Sequence, residues 1–168
     1  DKVFVGGAII NDFFGAKGFE VGRSLVSGTN HVKDLLDNSK ILLPEDVIVF
    51  GPNGTEEKHV RDVSPTDFIF DVAPSAIEKL KPFVAKARLI LWNGPMGNFE
   101  NGFQKGTDAV AKLLAEANGK TIVGGGDTLV SIQNLKLENK FSCVSTAGGS
   151  MLDFLANGTL PGIQAIEQ

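Results

Sequence analysis

Four short apolar runs in this chain end abruptly in glycine. Val3-Phe4-Val5 precedes Gly6-Gly7, and Arg88–Trp92 precedes Asn93-Gly94-Pro95-Met96-Gly97. Thr121-Ile122-Val123 precedes Gly124-Gly125-Gly126, and Phe141–Ser145 precedes Thr146-Ala147-Gly148-Gly149. After each run the apolar spacing turns helical: Ile9, Ile10, Phe13 and Phe14; Val110, Leu113, Leu114 and Ala117; Leu129 and Ile132; Met151–Ala156. Short, nearly continuous apolar runs read as buried strands, and strands alternating with helices read as a parallel sheet with helices on both faces. In such a sheet each strand's following turn lies at the carboxyl edge, where ligands bind.

The remaining segments read as follows. Val32, Leu35 and Leu36 mark one face of a helix ending near Asp37-Asn38, with His31 beside it as a solvated or capping residue. Ile41–Phe50 reads as a strand closed by Gly51-Pro52-Asn53-Gly54, and Thr55 to Pro65 as a small peripheral hairpin or a connecting loop. His59 lies there with no second histidine or cysteine nearby, so it does not read as a metal ligand. Asp67–Val72 is a further strand. Pro74 suits a first helical turn, and Ser75 and Glu78 have the spacing of a capping box.

Composition narrows the function classes. With 168 residues, 42% of them apolar, the chain is one domain or one lobe of something larger. A net charge of −4 with no basic block argues against nucleic acid or a membrane surface as partner. The single Cys143 excludes an internal disulfide and suits a reducing cytosol, hence a cytoplasmic protein. No apolar run is long enough to span a membrane. Asp1-Lys2 leads straight into a strand, the expectation for a piece of a longer polypeptide.

Chemistry concentrates at Gly124-Gly125-Gly126-Asp127-Thr128. Glycines leave backbone N–H groups unshielded, and a helix starting at Asp127 adds its own unpaired N–H groups and the positive end of its dipole. Asp127 is placed to hold a metal ion bridging phosphates, and Thr128 to offer a hydroxyl. The plainer alternative is a tight turn in which Asp127 or Thr128 caps the helix.

Taken together, Leu91-Trp92-Asn93-Gly94-Pro95-Met96-Gly97-Asn98-Phe99-Glu100, Gly124-Gly125-Gly126-Asp127-Thr128 and Val144-Ser145-Thr146-Ala147-Gly148-Gly149 resemble phosphoglycerate kinase, in that family's order and approximate spacing. Gly6-Gly7 with Phe13-Phe14, Leu43-Pro44-Glu45-Asp46, Lys105-Gly106-Thr107 and Leu160-Pro161-Gly162 add to the likeness, which runs the whole chain. The resemblance implies a Rossmann-like three-layer α/β/α sandwich, with residues 1–168 as the carboxyl-terminal, nucleotide-binding lobe. It implies ATP/ADP and Mg²⁺ as cofactors, and phosphoryl transfer between 1,3-bisphosphoglycerate and ADP. By position, Gly6, Gly7, Leu25 and Phe70 would line the adenine slot. Asn93 and Pro95 would border phosphates and ribose, and Glu100 would accept the ribose hydroxyls. Gly125, Gly126, Asp127 and Thr128 would hold the phosphates, with Asp127 on the metal. Gly148 and Gly149 would aim a helix N-terminus at the transferring phosphoryl group, which makes Gly126, Thr128, Gly148 and Gly149 the expected catalytic set.

Several residues depart from the family pattern. The substrate lobe that would bind 3-phosphoglycerate is absent from the chain, as is a Gly-Gly-x-Lys segment expected just before Asp1. Ala147 stands where a third glycine is usual, Asn98 where an apolar residue is usual, and Ala73 where Asp-x-Gly-Pro has glycine. Cys143 is expected to be a buried strand residue. Trp92 reads as packing under its turn, Lys105 as a solvated helix-start lysine, and Phe13-Phe14 as core, with one ring free to wall the base pocket. A dehydrogenase-type Rossmann domain is disfavoured, since no Gly-x-Gly-x-x-Gly with a distal acid follows the first strand. The enzyme lobe, a monomer by default, is the leading reading, and an autonomous, non-catalytic nucleotide-binding module is its alternative.

Overall fold

The computed structural model describes residues 1–28 and 32–166. His31 lies outside the described residues. The first part of the chain holds β1 (Val3–Phe4), α1 (Ile9–Ala16), then four strands, β2 (Ile41–Leu42), β3 (Asp46–Gly51), β4 (Gly54–His59) and β5 (Phe68–Val72), and the helices α2 (Pro74–Glu78) and α3 (Lys81–Val84). The second part adds β6 (Leu89–Asn93), α4 (Lys105–Ala115), β7 (Lys120–Gly124), α5 (Gly126–Asn134), β8 (Cys143–Ser145), α6 (Gly148–Asn157) and α7 (Pro161–Ile166).

The fold is α/β, and the four runs that lead into glycine turns, β1, β6, β7 and β8, all pair in parallel. β6, β7 and β8 pair in that order, all parallel, and the register sets Asn93 beside Gly124 and Gly124 beside Ser145. Three glycine-bearing turns therefore leave the sheet at one level. β1 pairs parallel with β2, and the Gly7 N–H donates to the Met96 carbonyl at 3.0 Å, tying the turn after β1 to the turn after β6.

The middle of the chain behaves differently. Ile41–Phe50 is not one strand: it breaks at Leu43-Pro44-Glu45, where proline offers no N–H to a ladder. β3 then joins an antiparallel sheet of order β4-β3-β5. Val47 and Val49 alternate inward on β3 and are fully buried. β4 is the hairpin arm, and its Thr55-Glu56-Glu57-Lys58 run leaves it a charged edge that resists further pairing. Inside, Val47, Val49 and Val72 pack in one core with Ile77 of α2, Ala111 of α4, Val123 of β7 and Ile132 of α5.

Three local expectations are corrected. The helix around Val32–Leu36 is a single 3-10 turn, Lys33–Leu35; Val32 is buried but Leu35 is exposed, so there is too little apolar face to hold more turns. The capping box fails because the helix begins one residue early. Pro74 takes the first helical position and Ala73, with φ −66° and ψ 142°, is the cap, so Ser75 lies inside the turn and its hydroxyl donates to Glu57 instead. Cys143 is exposed rather than buried, because among the described residues β8 is an edge strand paired only with β7.

Candidate functional site

Three strand ends meet backbone to backbone. Gly125 has φ +99°, a conformation side chains rarely adopt. A Cβ there would sit 3.0 Å from Asn93 Oδ1 and 3.1 Å from the Gly94 nitrogen. A Cβ on Gly148 would lie 3.0 Å from the Gly125 Cα. Asn93 locks the pair, its Nδ2 donating to the Gly148 carbonyl at 2.6 Å. Glycine is therefore required here by close approach as well as by dihedral angle.

This packing brings two helix N-termini together. α5 starts at Gly126 behind Gly125, α6 starts at Gly148 behind Ala147, and no side chain caps either. The Gly148 N–H donates to the Thr146 carbonyl at 3.2 Å, and the other N–H groups of the two first turns, with the dipole ends, are left for an anion. A Cβ on Gly126 or Gly149 would meet nothing within 4 Å, so both helix starts face open space. Thr128 is fully buried, and its Oγ1 has no hydrogen-bond partner among the described residues. Ala147 has φ −88°, so its methyl causes no backbone strain.

Beside the helix starts lies a cavity of about 400 Å³, a volume suited to a nucleotide-sized ligand. Gly7, Leu25, Phe70, Pro95, Glu100 and Asp127 all line it. Phe70 is held from behind by other rings, 5.5 Å from Phe68, 6.2 Å from Phe50 and 4.6 Å from Phe103 between centroids. Of the sequence-predicted residues, Asn93, Gly125, Thr128 and Gly148 form the strand-end cluster rather than the cavity wall. Gly6 is set back against Met96, where a Cβ would meet the sulfur. Asp127 joins the two parts, as both a cavity residue and the second residue of α5. Among the described residues it makes no ion pair. A single free carboxylate beside uncapped helix starts fits Mg²⁺ arriving on phosphates, since Mg²⁺ is commonly held by one or two carboxylates together with phosphate oxygens.

The plainer readings of single residues also find their places. Trp92 is buried, and its Nε1 donates to the Gly94 carbonyl at 2.9 Å, bracing the turn from below. Lys105 is exposed at the start of α4. Phe13 and Phe14 are buried and line a different cavity, with Phe19, His59 and Arg61. His59 Nδ1 accepts the Arg61 N–H at the start of a 3-10 turn.

Two residues that sequence reasoning passed over also line the cavity: Asn11 and Asp71. Asp71 is 2% exposed, and its carboxylate accepts the Gly106 N–H at 2.9 Å and the Val72 N–H at 2.8 Å. Burial, with a smaller contribution from the Asp108 charge, pushes its pKa up to about 6 against the opposing effect of those two N–H groups. Cβ atoms on Gly97 or Gly106 would each collide with this carboxylate. Asp71 therefore ties the turn after β6 to the first turn of α4. Two glycines that no positive φ explains were its sequence signal, though nothing in the sequence pairs them with Asp71.

Comparison with known proteins places this geometry. The family model for phosphoglycerate kinase matches residues 1–158. A phosphoglycerate kinase of Baumannia cicadellinicola is 40% identical over 97% of this chain and 43% of its own length. That of Coprothermobacter proteolyticus is 39% identical over 97% of this chain and 44% of its own. Among solved structures, phosphoglycerate kinase from Coxiella burnetii superposes with a TM-score of 0.83 at 37% identity, over 98% of this chain and 45% of that one. The enzyme from Pyrococcus horikoshii gives 0.86 at 32%, over 99% and 45%. The chain thus spans less than half the length of these relatives.

Proposed function

The chain belongs to the phosphoglycerate kinase family, and on that premise we propose that it supplies the Mg-nucleotide site of a glycolytic phosphotransferase. In this reading the whole protein moves a phosphoryl group from 1,3-bisphosphoglycerate to ADP, and a second lobe binds the 3-phosphoglycerate end. One observation carries it: an apolar-walled cavity runs, through Asp127, into two adjoining uncapped helix N-termini.

Each part has a task in such a transfer. Leu25, Phe70 and Pro95 offer faces for a purine, and Glu100, exposed at the rim, offers a carboxylate to ribose hydroxyls. The N–H groups at Gly126, Asp127 and Thr128 would take phosphate oxygens. The α6 start at Gly148 and Gly149 would neutralise charge on the group in flight through its dipole end and the Gly149 N–H, the Gly148 N–H being held by the Thr146 carbonyl. Mg²⁺, held through Asp127, would supply further charge neutralisation. Phosphoryl transfer asks for positioning and electrostatic stabilisation rather than a covalent catalyst, and closure against a second lobe would exclude water.

An autonomous nucleotide-binding module is the second reading, favoured by the fact that cavity and helix starts are all built from this chain. A cytoplasmic monomer fits either. Among the described residues no helix is long and apolar enough to cross a membrane. Calorimetric titration of the chain with ADP, with and without Mg²⁺, tests the shared claim. Binding should need Mg²⁺ for full strength, and Asp127→Ala should abolish that gain. A gain from Mg²⁺ that survives Asp127→Ala would remove Asp127 from the metal site, and no binding at all would remove the nucleotide site.

A further inference from the structure

α1 lies between two cavities: Ile10 and Asn11 line the one described above, and Phe13, Phe14 and Lys17 line a second. The second holds about 250 Å³, room for one ring and its substituent rather than for a nucleotide. Phe13 and Phe14 form its buried floor, and half-buried Phe19, Ile41 and Leu43 give it an apolar wall. The Arg61 guanidinium lies 5.9 Å over the Phe19 ring, a cation stacked on that wall. Lys17, the residue that ends α1, is exposed at the rim. His59 Nδ1 accepts the Arg61 N–H, so the proton of the neutral ring sits on Nε2 as a donor. Among the described residues neither Lys17 nor Arg61 forms an ion pair. Glu45, the acid in the lining, is already held by Lys79 at 2.7 Å. Two cations against one carboxylate give the lining a net charge of +1, in a chain whose net charge is −4.

We propose that this second cavity binds a small organic monocarboxylate, its apolar body against Phe19, Ile41 and Leu43 and its carboxylate on Arg61 and Lys17. A guanidinium presents its N–H groups as a fork that meets both oxygens of a carboxylate. Stacked over Phe19, that fork has less freedom to lose when a ligand arrives. His59 Nε2 supplies a further donor from the same lining. One negative charge matches the lining's net +1. A phosphate monoester brings about two, and Glu45 would repel the excess. The two cavities share no lining residue, so a failure of nucleotide binding leaves this site untouched.

The test is amide chemical-shift mapping of the isotope-labelled intact chain with three probes: benzoate, benzamide and acetate. Benzoate should shift the Lys17, Phe19, His59 and Arg61 amides saturably, with a dissociation constant of about 1 mM, the range for a ligand this small. Benzamide keeps the shape without the charge, and acetate keeps the charge without the ring. Each should bind roughly tenfold more weakly than benzoate. Lys17→Gln and Arg61→Gln together should remove benzoate binding. Both positions are exposed, so the spectrum away from the cavity should stay unchanged. Benzamide binding as well as benzoate would mean that the cavity takes apolar matter without reading charge. Acetate binding as well would mean that the rim cations attract any anion. Either result overturns the proposal, as does benzoate binding that survives the double variant or that moves no residue of this cavity. If the double variant does not fold, the three probes on the intact chain decide alone.

Discussion

Replacing Asp71 with asparagine should flatten the stability of this chain between about pH 4 and pH 6. In the folded state the Asp71 carboxyl titrates near 6, against an ordinary value of 3.8, mainly because burial opposes its charge. The folded form therefore holds a proton that the unfolded chain has released. Its contribution is fully present below pH 3.8 and is lost as pH rises through about 6. At ~1.4 kcal/mol per pKa unit, the rise from 3.8 to about 6 is worth about 3 kcal/mol. That is a large share of the stability of a domain this size. The substituted amide has no proton to lose, so the slope should vanish. The variant should also be less stable at low pH by about 1–3 kcal/mol, because an amide oxygen alone cannot serve both the Gly106 and Val72 N–H groups. Urea unfolding at half-unit steps from pH 4.5 to 7 reads both effects, provided the m-value stays constant. Asp67 and Glu45 are held below their ordinary values of 3.8 and 4.5, so their contributions are lost as pH falls, opposite in sign to that of Asp71, and between pH 5 and 6 the slope belongs to Asp71. Equal slopes for the two proteins would show that Asp71 ionises like a surface carboxylate, and the argument from its burial would fail.

Further substitutions probe other joints. Gly125→Ala forces a methyl into a backbone with φ +99° and within 3.0 Å of Asn93 Oδ1; it should cost about 1–3 kcal/mol in urea unfolding and weaken Mg-ADP in calorimetry. Trp92→Phe keeps a ring under the turn but orphans the Gly94 carbonyl, and should lower stability by about 1 kcal/mol in the same assay. Lys58→Met strips the ion-pair partner from Asp67, which is 1% exposed, so the urea midpoint should fall with the m-value unchanged.

How much of this was readable beforehand depended on whether the signal was local. β6, β7 and β8 and their turns were legible because an apolar run stopping at glycine carries strand, edge and turn in consecutive residues. Direction was not legible for Asp46–Gly51 and Phe68–Val72: a buried run has the same composition in a parallel or an antiparallel sheet, and only the hairpin at Pro52-Asn53 turns β4 back on β3. Cys143 was misjudged for a related reason, since an edge strand looks like a central one until its neighbours are placed. Gly7, Leu25, Phe70, Pro95, Glu100 and Asp127 gather on one cavity. That gathering depends on β1 and β6 delivering their turns to each other through Gly7 and Met96. Asn11 and Asp71 were invisible because their meaning comes from distant backbone: the Leu25 carbonyl for one, the Gly106 N–H for the other.

The claim at the centre is that the starts of α5 and α6 form one phosphate-binding surface continuous with the cavity. Its most direct test is backbone amide chemical-shift mapping of the isotope-labelled chain during titration with Mg-ADP. The account predicts that the largest shifts fall on Gly126, Asp127, Thr128, Gly148 and Gly149, with a second group at Gly7, Leu25 and Phe70. Saturable binding that leaves those helix-start amides unmoved, or that shifts Phe19, His59 and Arg61 around the other cavity instead, would contradict it.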